Sequence, residues 1–344
     1  MLAIPVPFVV SMLLTLLAMT LYVRFGNQTK TVCLFLALCA STTAMVGLRW
    51  TFNVAAFSYA QPILASLIPV FAWYAFTSAS TGLKSIAYKH LLGPVLVIVS
   101  IVTQPLLGLP LDIFLTCTYL FYGMALVQYS SKDTLLINVT LSNWEGVKRA
   151  ENIAGWMLLF SALIDTFLSL DFAVNQGRFS EYILTVGHLV SLPVLSLSVV
   201  IVGVNTPSGE ATSKQSAPEE QKVFPPLVTE ERSQEIVEML DKKIRDKAIY
   251  LDPDLTLSKL SRKLGIPAKQ ISIAVNLVHR KNISKLINEY RIEHAKQELT
   301  HTDNTITQVF MNSGFQTKSN FNREFSRVTK MTPSEYRKAE ALQL

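Results

Sequence analysis

Seven apolar stretches, each close to the length that crosses a bilayer, occupy most of the first 204 residues. They cover residues 2–23, 31–48, 60–79, 91–109, 111–129, 154–172 and 182–204. A helix that spans the hydrocarbon core needs about 20 apolar residues, because no water is present to solvate polar groups. Charged residues make up only 16% of the chain. The pattern predicts an all-α fold class, with a seven-helix transmembrane bundle over residues 1–204.

The loop charges predict the orientation of this bundle. One alternating set of loops contains seven positive residues: Arg24, Lys30, Lys84, Lys89, Lys132, Lys148 and Arg149. The other set contains only Arg49 and Arg178. Because positive loops stay in the cytoplasm, the N-terminus is expected outside and the region after residue 204 inside. Arg24 follows the first apolar run, which favours a retained span over a cleaved signal. We expect a multi-pass protein of the bacterial inner membrane, in contact with membrane lipids.

Two ionisable residues, Asp165 and His188, lie within the predicted spans at similar depth from the outer side. Intramembrane ionisable groups suggest a polar pocket or a proton-sensing pair, so both are candidate signal-sensing residues for an unknown ligand or signal. The alternative is an internal hydrogen bond that fixes helix packing. A transporter or channel with a regulatory tail also remains an alternative, although no internal repeat is visible.

Residues 205–232 differ sharply from the spans, with the sequence NTPSGEATSKQSAPEEQKVFPPLVTEER. So few large apolar residues cannot offset the entropy of ordering the segment. We predict a flexible cytoplasmic linker with a reach of roughly 30 Å. Release of the following domain by proteolysis at this linker is a competing hypothesis.

Residues 233–344 show two similar helical patterns and an excess of positive charge. From Leu255 onward there are fifteen Lys/Arg against seven Asp/Glu, as a polyanion-binding domain requires. A short amphipathic helix over 233–247, capped by Ser233, is expected first. A first helix-turn-helix follows. Thr256 is expected to cap its first helix, Gly265 to form the turn and Pro267 to begin the second helix. A long helix, about 283–299, separates it from the second.

The second helix-turn-helix covers Ile306 to Arg337. It reads as helix 306–312, a turn at Gly314, helix 317–328 and a capping box from Thr332 to Glu335. Residues 250–338 resemble the DNA-binding domain of AraC-type (AraC/XylS) transcriptional regulators, through INEYRIEHAKQEL and ITQVFMNSGFQTKSNFNREFSRVTKMTPSEYR. The resemblance implies two recognition helices in successive major-groove segments of double-stranded DNA. The usual soluble metabolite-binding domain is replaced here by the apolar half, which resembles a membrane-bound subset of the family.

Helix geometry and this resemblance together indicate the DNA-binding residues. Phe321 and Phe325 are expected to face inward, which leaves Lys318, Ser319, Asn322 and Arg323 on or beside the exposed face. The resemblance implies that Lys318, Ser319, Asn320 and Arg323 read bases. In the first unit it points to Lys269, Gln270 and Ser272, with Ala268 and Ile273 at less suitable matching positions. Candidate phosphate contacts are Lys281, Asn282, Lys330 and Ser334.

Enzymatic chemistry has little support in the sequence. The chain has no phosphate-binding glycine-rich loop and no HExxH motif, and its five histidines do not cluster at metal-ligand spacing. We therefore expect no catalytic residues, no metal and no cofactor. The interpretation is a membrane-bound one-component transcription regulator controlled by a signal at its membrane domain. A homodimer, and a contact with RNA polymerase if the protein is an activator, remain open.

Overall fold

The computed structural model describes residues 5–52, 54–81, 87–107, 111–131, 136–206 and 229–341. The chain divides into two compact units. The first contains residues 1–134 and 145–206, and the second contains residues 135–144 and 207–344. Within the described ranges the chain is helical, with one isolated β-bridge between Thr140 and Thr256 instead of strands. The predicted all-α fold class is confirmed.

Seven α-helices lie in the described part of the first unit. They are α1 (Val6–Phe25), α2 (Lys30–Phe52), α3 (Ala55–Thr81), α4 (Leu92–Leu107), α5 (Leu111–Ser131), α6 (Trp144–Asn175) and α7 (Ser180–Val204). Six helices in the described ranges are long and apolar enough to cross a membrane. The predicted count of seven spans is therefore not exact, because α4 has only 16 residues. Residues 108–110, where the predicted fourth span ends, lie outside the described residues.

The surface of the first unit is apolar, as a protein solvated by lipid requires. Large side chains such as Met12, Val102 and Val174 are more than half exposed. The core of the unit includes α2, which contacts α1, α3 and α7. Two glycines allow α5 and α6 to approach closely: a Cβ on Gly155 would lie 3.0 Å from the carbonyl oxygen of Gly123. Small residues serve the same purpose at many helix interfaces in membranes.

The second unit contains the other seven helices of the described chain. They are α8 (Glu230–Lys247), α9 (Leu257–Leu264), α10 (Ala268–His279), α11 (Ile283–His301), α12 (Ile306–Asn312), α13 (Lys318–Thr329) and α14 (Pro333–Ala341). Most of the predicted linker, residues 207–228, lies outside the described residues. The loop over residues 136–144 belongs to this second unit, although the sequence division placed it within the transmembrane half.

Two of the three predicted helix caps are confirmed. Thr256 caps α9, and Thr332 forms the predicted capping box with Glu335. Thr305 also caps α12, which the sequence analysis did not predict. Ser233 is not the cap of α8, because Thr229 accepts the hydrogen bond from the Arg232 backbone N–H at 3.3 Å. The helix extends one turn further because Glu230 and Glu231 favour a helix N-terminus.

A buried arginine joins the two halves of the second unit. Arg291 of α11 is 0% exposed, and its guanidinium donates to the carbonyl oxygens of Tyr250 at 2.7 Å and Asp252 at 2.8 Å. It also lies 5.6 Å from the centre of the Phe315 ring. Burial lowers the pKa of Arg291 to about 10, with Asp252 opposing that shift, so the side chain remains charged at neutral pH.

The turn at Gly314 packs against the same backbone segment, residues 250–252, that Arg291 contacts. Gly314 has φ +78°, and a Cβ there would lie 2.8 Å from the carbonyl oxygens of both Tyr250 and Leu251. Gly265 has a similar φ of +72°, but a Cβ added there would have no neighbouring heavy atom within 4 Å. The two glycines therefore share a backbone requirement, whereas only Gly314 is also needed for close packing.

We expect Gly314→Ala to destabilise the second unit by about 2 kcal/mol or more, through the left-handed backbone and the clash with two carbonyl groups. Gly265→Ala is the matched control, with strain from its backbone conformation alone, and should cost about 1 kcal/mol. The destabilisation by the two substitutions is compared through amide hydrogen exchange of α12 and α13, measured by mass spectrometry on the full chain in nanodiscs. Equal effects of the two substitutions would contradict the packing role of Gly314.

Candidate nucleic-acid interface

Two helix pairs in the second unit have the predicted helix-turn-helix order. Helices α9 and α10 form the first pair, α12 and α13 the second, and α11 runs between them. The second pair shares a core with α11, built from Ile292, Ala295, Leu299, Val309, Phe310, Phe315, Phe321 and Phe325. Phe321 and Phe325 are both 0% exposed, so α13 turns its apolar side inward as the sequence predicts.

The opposite side of α13 presents basic and polar groups. Lys318, Ser319 and Arg323 are exposed. Lys318 and Ser319 occupy the first turn, which Thr317 caps through its side-chain oxygen. The N-terminal turn of a helix suits contact with negatively charged DNA, because free backbone N–H groups and the helix dipole point toward it. The placement is compatible with the predicted role of these three residues.

Arg323 is held in place by two neighbours on the same helix. It donates to the side-chain oxygen of Asn320 at 2.6 Å and approaches the carboxylate of Glu324 at 3.4 Å. Glu324 is buried and also pairs with Arg327 at 3.0 Å. A carboxylate shared in this way restrains the guanidinium, and a restrained guanidinium favours bidentate contact with guanine.

Asn320 and Asn322 are less accessible than the sequence prediction assumed. Asn320 is only 5% exposed, and its amide group donates to the backbone carbonyl of Ser142. Asn322 is half-buried, with no hydrogen-bond partner for its side-chain oxygen among the described residues. For Asn320 to read a base it must first exchange its partner at Ser142. Its predicted role in readout stays a prediction.

Helix α10, the predicted first recognition helix, is less basic than α13. Lys269 is exposed and Gln270 and Ser272 are half-buried, all within the first turns of the helix. Ile271, Ala274 and Val275 are buried and fix which side faces the core. Pro267 occupies the N-cap position and offers no side-chain cap. Lys269 is therefore the charged group that this helix presents for DNA.

The predicted phosphate contacts lie at helix ends but differ in accessibility. Lys281 is paired with Glu289 at 2.9 Å, and Asn282 caps α11 by accepting from the Lys285 backbone N–H at 2.8 Å. Lys330 is exposed at the C-terminal end of α13, with φ +64°. Ser334 is exposed in the first turn of α14, where hydrogen bonds from Thr332 lower the pKa of Glu335. That carboxylate competes with a phosphate at the same helix end.

A cavity of about 130 Å³, lined by both apolar and polar residues, lies within the first unit. Its lining includes Arg49, Gln61, Asp112, Tyr119 and the predicted sensing residue Asp165. Arg49 donates to the side-chain oxygen of Gln61 at 3.2 Å. The side chain of His188 lies outside the described residues, so its pairing with Asp165 stays a prediction.

Sequence reasoning missed three buried features of the second unit: Glu324, Arg291 and the loop 136–144. Glu324 and Arg291 are charged residues on the inner sides of helices. The sequence around each of them does not indicate which group it contacts in the folded chain. The loop did carry a signal. It includes Leu136, Ile137, Val139 and Leu141, which are unusually apolar for a predicted cytoplasmic loop.

Comparisons with known proteins agree with this geometry over the C-terminal part of the chain. A helix-turn-helix domain family matches residues 260–339. Uncharacterized HTH-type transcriptional regulators of Staphylococcus aureus strains MSSA476 and COL are each 36% identical over 89 residues. Those residues are 26% of this chain but only 12% of each relative.

Two solved structures also resemble the chain. One is the C-terminal domain of the two-component response regulator yesN from Fusobacterium nucleatum, with 26% identity. The match covers 30% of this chain and 98% of that chain, with a TM-score of 0.28. The other is a Listeria innocua protein of unknown function, with 25% identity and a TM-score of 0.28 over 30% of this chain and 96% of that one. From the family match and the relatives' sequences, the C-terminal part of this protein is a helix-turn-helix domain of the AraC/XylS type.

Proposed function

We propose that this protein is a membrane-embedded one-component transcription regulator, in which a signal received by the first unit controls DNA binding by the second. The observation that carries the proposal is the presence, in one chain, of six helices able to cross a membrane and a helix-turn-helix domain. A covalent link of this kind removes the need for a separate messenger between sensor and regulator.

The cavity around Asp165 is the proposed site of signal reception. Asp165 lies within α6, where a bilayer disfavours a charged group, so its place in a cavity shared with Arg49 and Asp112 favours a functional role. Two carboxylates against one guanidinium favour a small polar ligand that carries positive charge, or a proton. A ligand acts on DNA binding only to the extent that its affinity differs between two states of the protein.

The test of the overall proposal is genome-wide DNA occupancy by the full chain, measured in cells. The intact protein should occupy a limited set of sites, and the double variant Lys318→Ala, Arg323→Ala should lose them. Arg262→Ala is the matched control, because Arg262 is an exposed arginine of α9 outside the predicted recognition surface. The full chain is required because loop 136–144 is packed into the DNA-binding unit. Absence of specific occupancy by the intact protein would reject the proposal.

Arg323→Ala is expected to relax sequence preference at one base pair by about 1–3 kcal/mol, because a bidentate contact to guanine is lost. The measurement is selection from a random duplex library by the full chain in nanodiscs, followed by affinities for single-base variants of the selected site. Arg262→Ala should leave the preference unchanged. Equal weakening on every sequence would show that Arg323 contacts phosphate and does not read a base.

Asp165→Asn should reduce the sensitivity of DNA occupancy to the inducing condition by about tenfold or more, since a hydrogen bond to a charged group contributes roughly 1.5–3 kcal/mol. The condition is first identified as the growth change that alters wild-type occupancy most. Glu181→Gln neutralises an exposed carboxylate at the start of α7 and serves as control. If Asp165→Asn responds like wild type, the cavity is a packing feature and does not receive the signal.

A further inference from the structure

The loop over residues 136–144, which precedes α6 in the chain, is packed into the DNA-binding unit. Val139, Thr140 and Leu141 are each 0% exposed, and Ser142 is 1% exposed. The Leu141 backbone N–H donates to the carbonyl oxygen of Leu255 at 2.8 Å. The middle of the loop is therefore part of the packed interior of this unit.

Three donors hold the carbonyl oxygens of this loop, and each lies in the first turn of a different helix. The Ser258 backbone N–H of α9 donates to Ile137 at 2.9 Å. The Ser284 hydroxyl of α11 donates to Leu141 at 2.5 Å. The Asn320 amide of α13 donates to Ser142. The first turns of three helices therefore converge on one stretch of backbone.

This donor set has the chemistry of a phosphate-binding surface. Backbone N–H groups in the first turn of a helix, hydroxyls and amides are the uncharged donors that proteins direct at DNA phosphates. In this structure the loop carbonyls supply the oxygen atoms. A peptide carbonyl is neutral, whereas a phosphate is charged and forms roughly twice as strong a hydrogen bond with the same donors.

One of the three donors belongs to the second recognition helix. Asn320 uses its amide nitrogen on Ser142 and its amide oxygen on Arg323, so the loop and the predicted base-reading arginine share one residue. While the loop is bound, both ends of the Asn320 amide are hydrogen-bonded within the protein and are not available to DNA. Departure of the loop frees the amide nitrogen of Asn320. Because the oxygen of the same amide accepts from Arg323, a rotation of Asn320 also changes that contact.

We propose that residues 136–144 are an internal competitor of DNA: the loop occupies a phosphate-binding surface formed by Ser258, Ser284 and Asn320, and full DNA binding displaces it. The inference rests on the proposed DNA-binding function. The loop is covalently continuous with α6 and lies within a few residues of the end of α5, so a shift of either helix changes how easily the loop leaves. It thus supplies a covalent route for the signal.

Labelling of an introduced cysteine tests the displacement. Ser142→Cys is nearly isosteric, and the Ser142 hydroxyl makes no hydrogen bond among the described residues, so the change preserves the contact of the Ser142 carbonyl. Cys33, Cys39 and Cys117 are replaced by alanine in the full chain, which is placed in nanodiscs. The label is a water-soluble maleimide. The DNA is a random-sequence duplex at low salt, where phosphate contacts dominate affinity.

A saturating duplex is expected to speed labelling of the Ser142→Cys variant by about tenfold, which corresponds to a loop-release equilibrium shifted by about 1.4 kcal/mol. The Gln297→Cys variant, altered at an exposed position of α11, should label at the same rate with and without DNA. Duplex that binds without changing the labelling rate of the Ser142→Cys variant would overturn the competitor role and leave the proposed function standing. Duplex that fails to bind at all would reject both.

Duplex affinity provides a second measurement that does not depend on labelling. Leu141→Ala removes a buried loop anchor and should tighten binding of the same duplex by about fivefold, since less loop affinity opposes DNA. Asn138→Ala, at a half-buried loop position, is the control and should have a smaller effect. Weaker binding by Leu141→Ala would show instead that the loop supports the DNA-binding surface.

Discussion

The buried guanidinium of Arg291 is the interaction on which the DNA-binding unit depends. A lone charge away from water is costly, and here two backbone carbonyls and the Phe315 ring compensate for that cost. The carbonyls belong to the segment before α9, whereas Phe315 belongs to the turn between α12 and α13. Arg291 therefore fixes the first helix-turn-helix against the second, and a paired reader of DNA needs this fixed spacing.

The same contacts explain why the segment around Tyr250 leaves no room for a side chain at position 314. The Tyr250 carbonyl accepts from Arg291 and also lies against Gly314, so a side chain at position 314 would separate the two helix-turn-helix pairs. Loop 136–144 adds a third element, attached through Leu255 and the first turns of three helices. The second unit thus incorporates a piece of chain that lies between α5 and α6 in the sequence.

Much of this organisation is visible in the sequence because it depends on local rules. Apolar runs of sufficient length predict α1 to α7, and they fail only at the exact number of spans, where α4 is short. Thr256 and Thr332 mark helix starts correctly because capping is a contact between near neighbours in sequence. The inward position of Phe321 and Phe325 likewise follows from helical period alone.

The sequence by itself determined the fold class, the order of the two helix-turn-helix units and the basic face of α13, since each is set by residues within one or two helical turns. The tertiary structure decided which polar groups are available on that face. Asn320 and Ser142 are far apart in the chain, as are Arg291 and Tyr250, and no periodic pattern links them. Contacts at such separation depend on how whole helices pack, so only the folded chain shows that the loop before α6 is held by the helices of the DNA-binding unit.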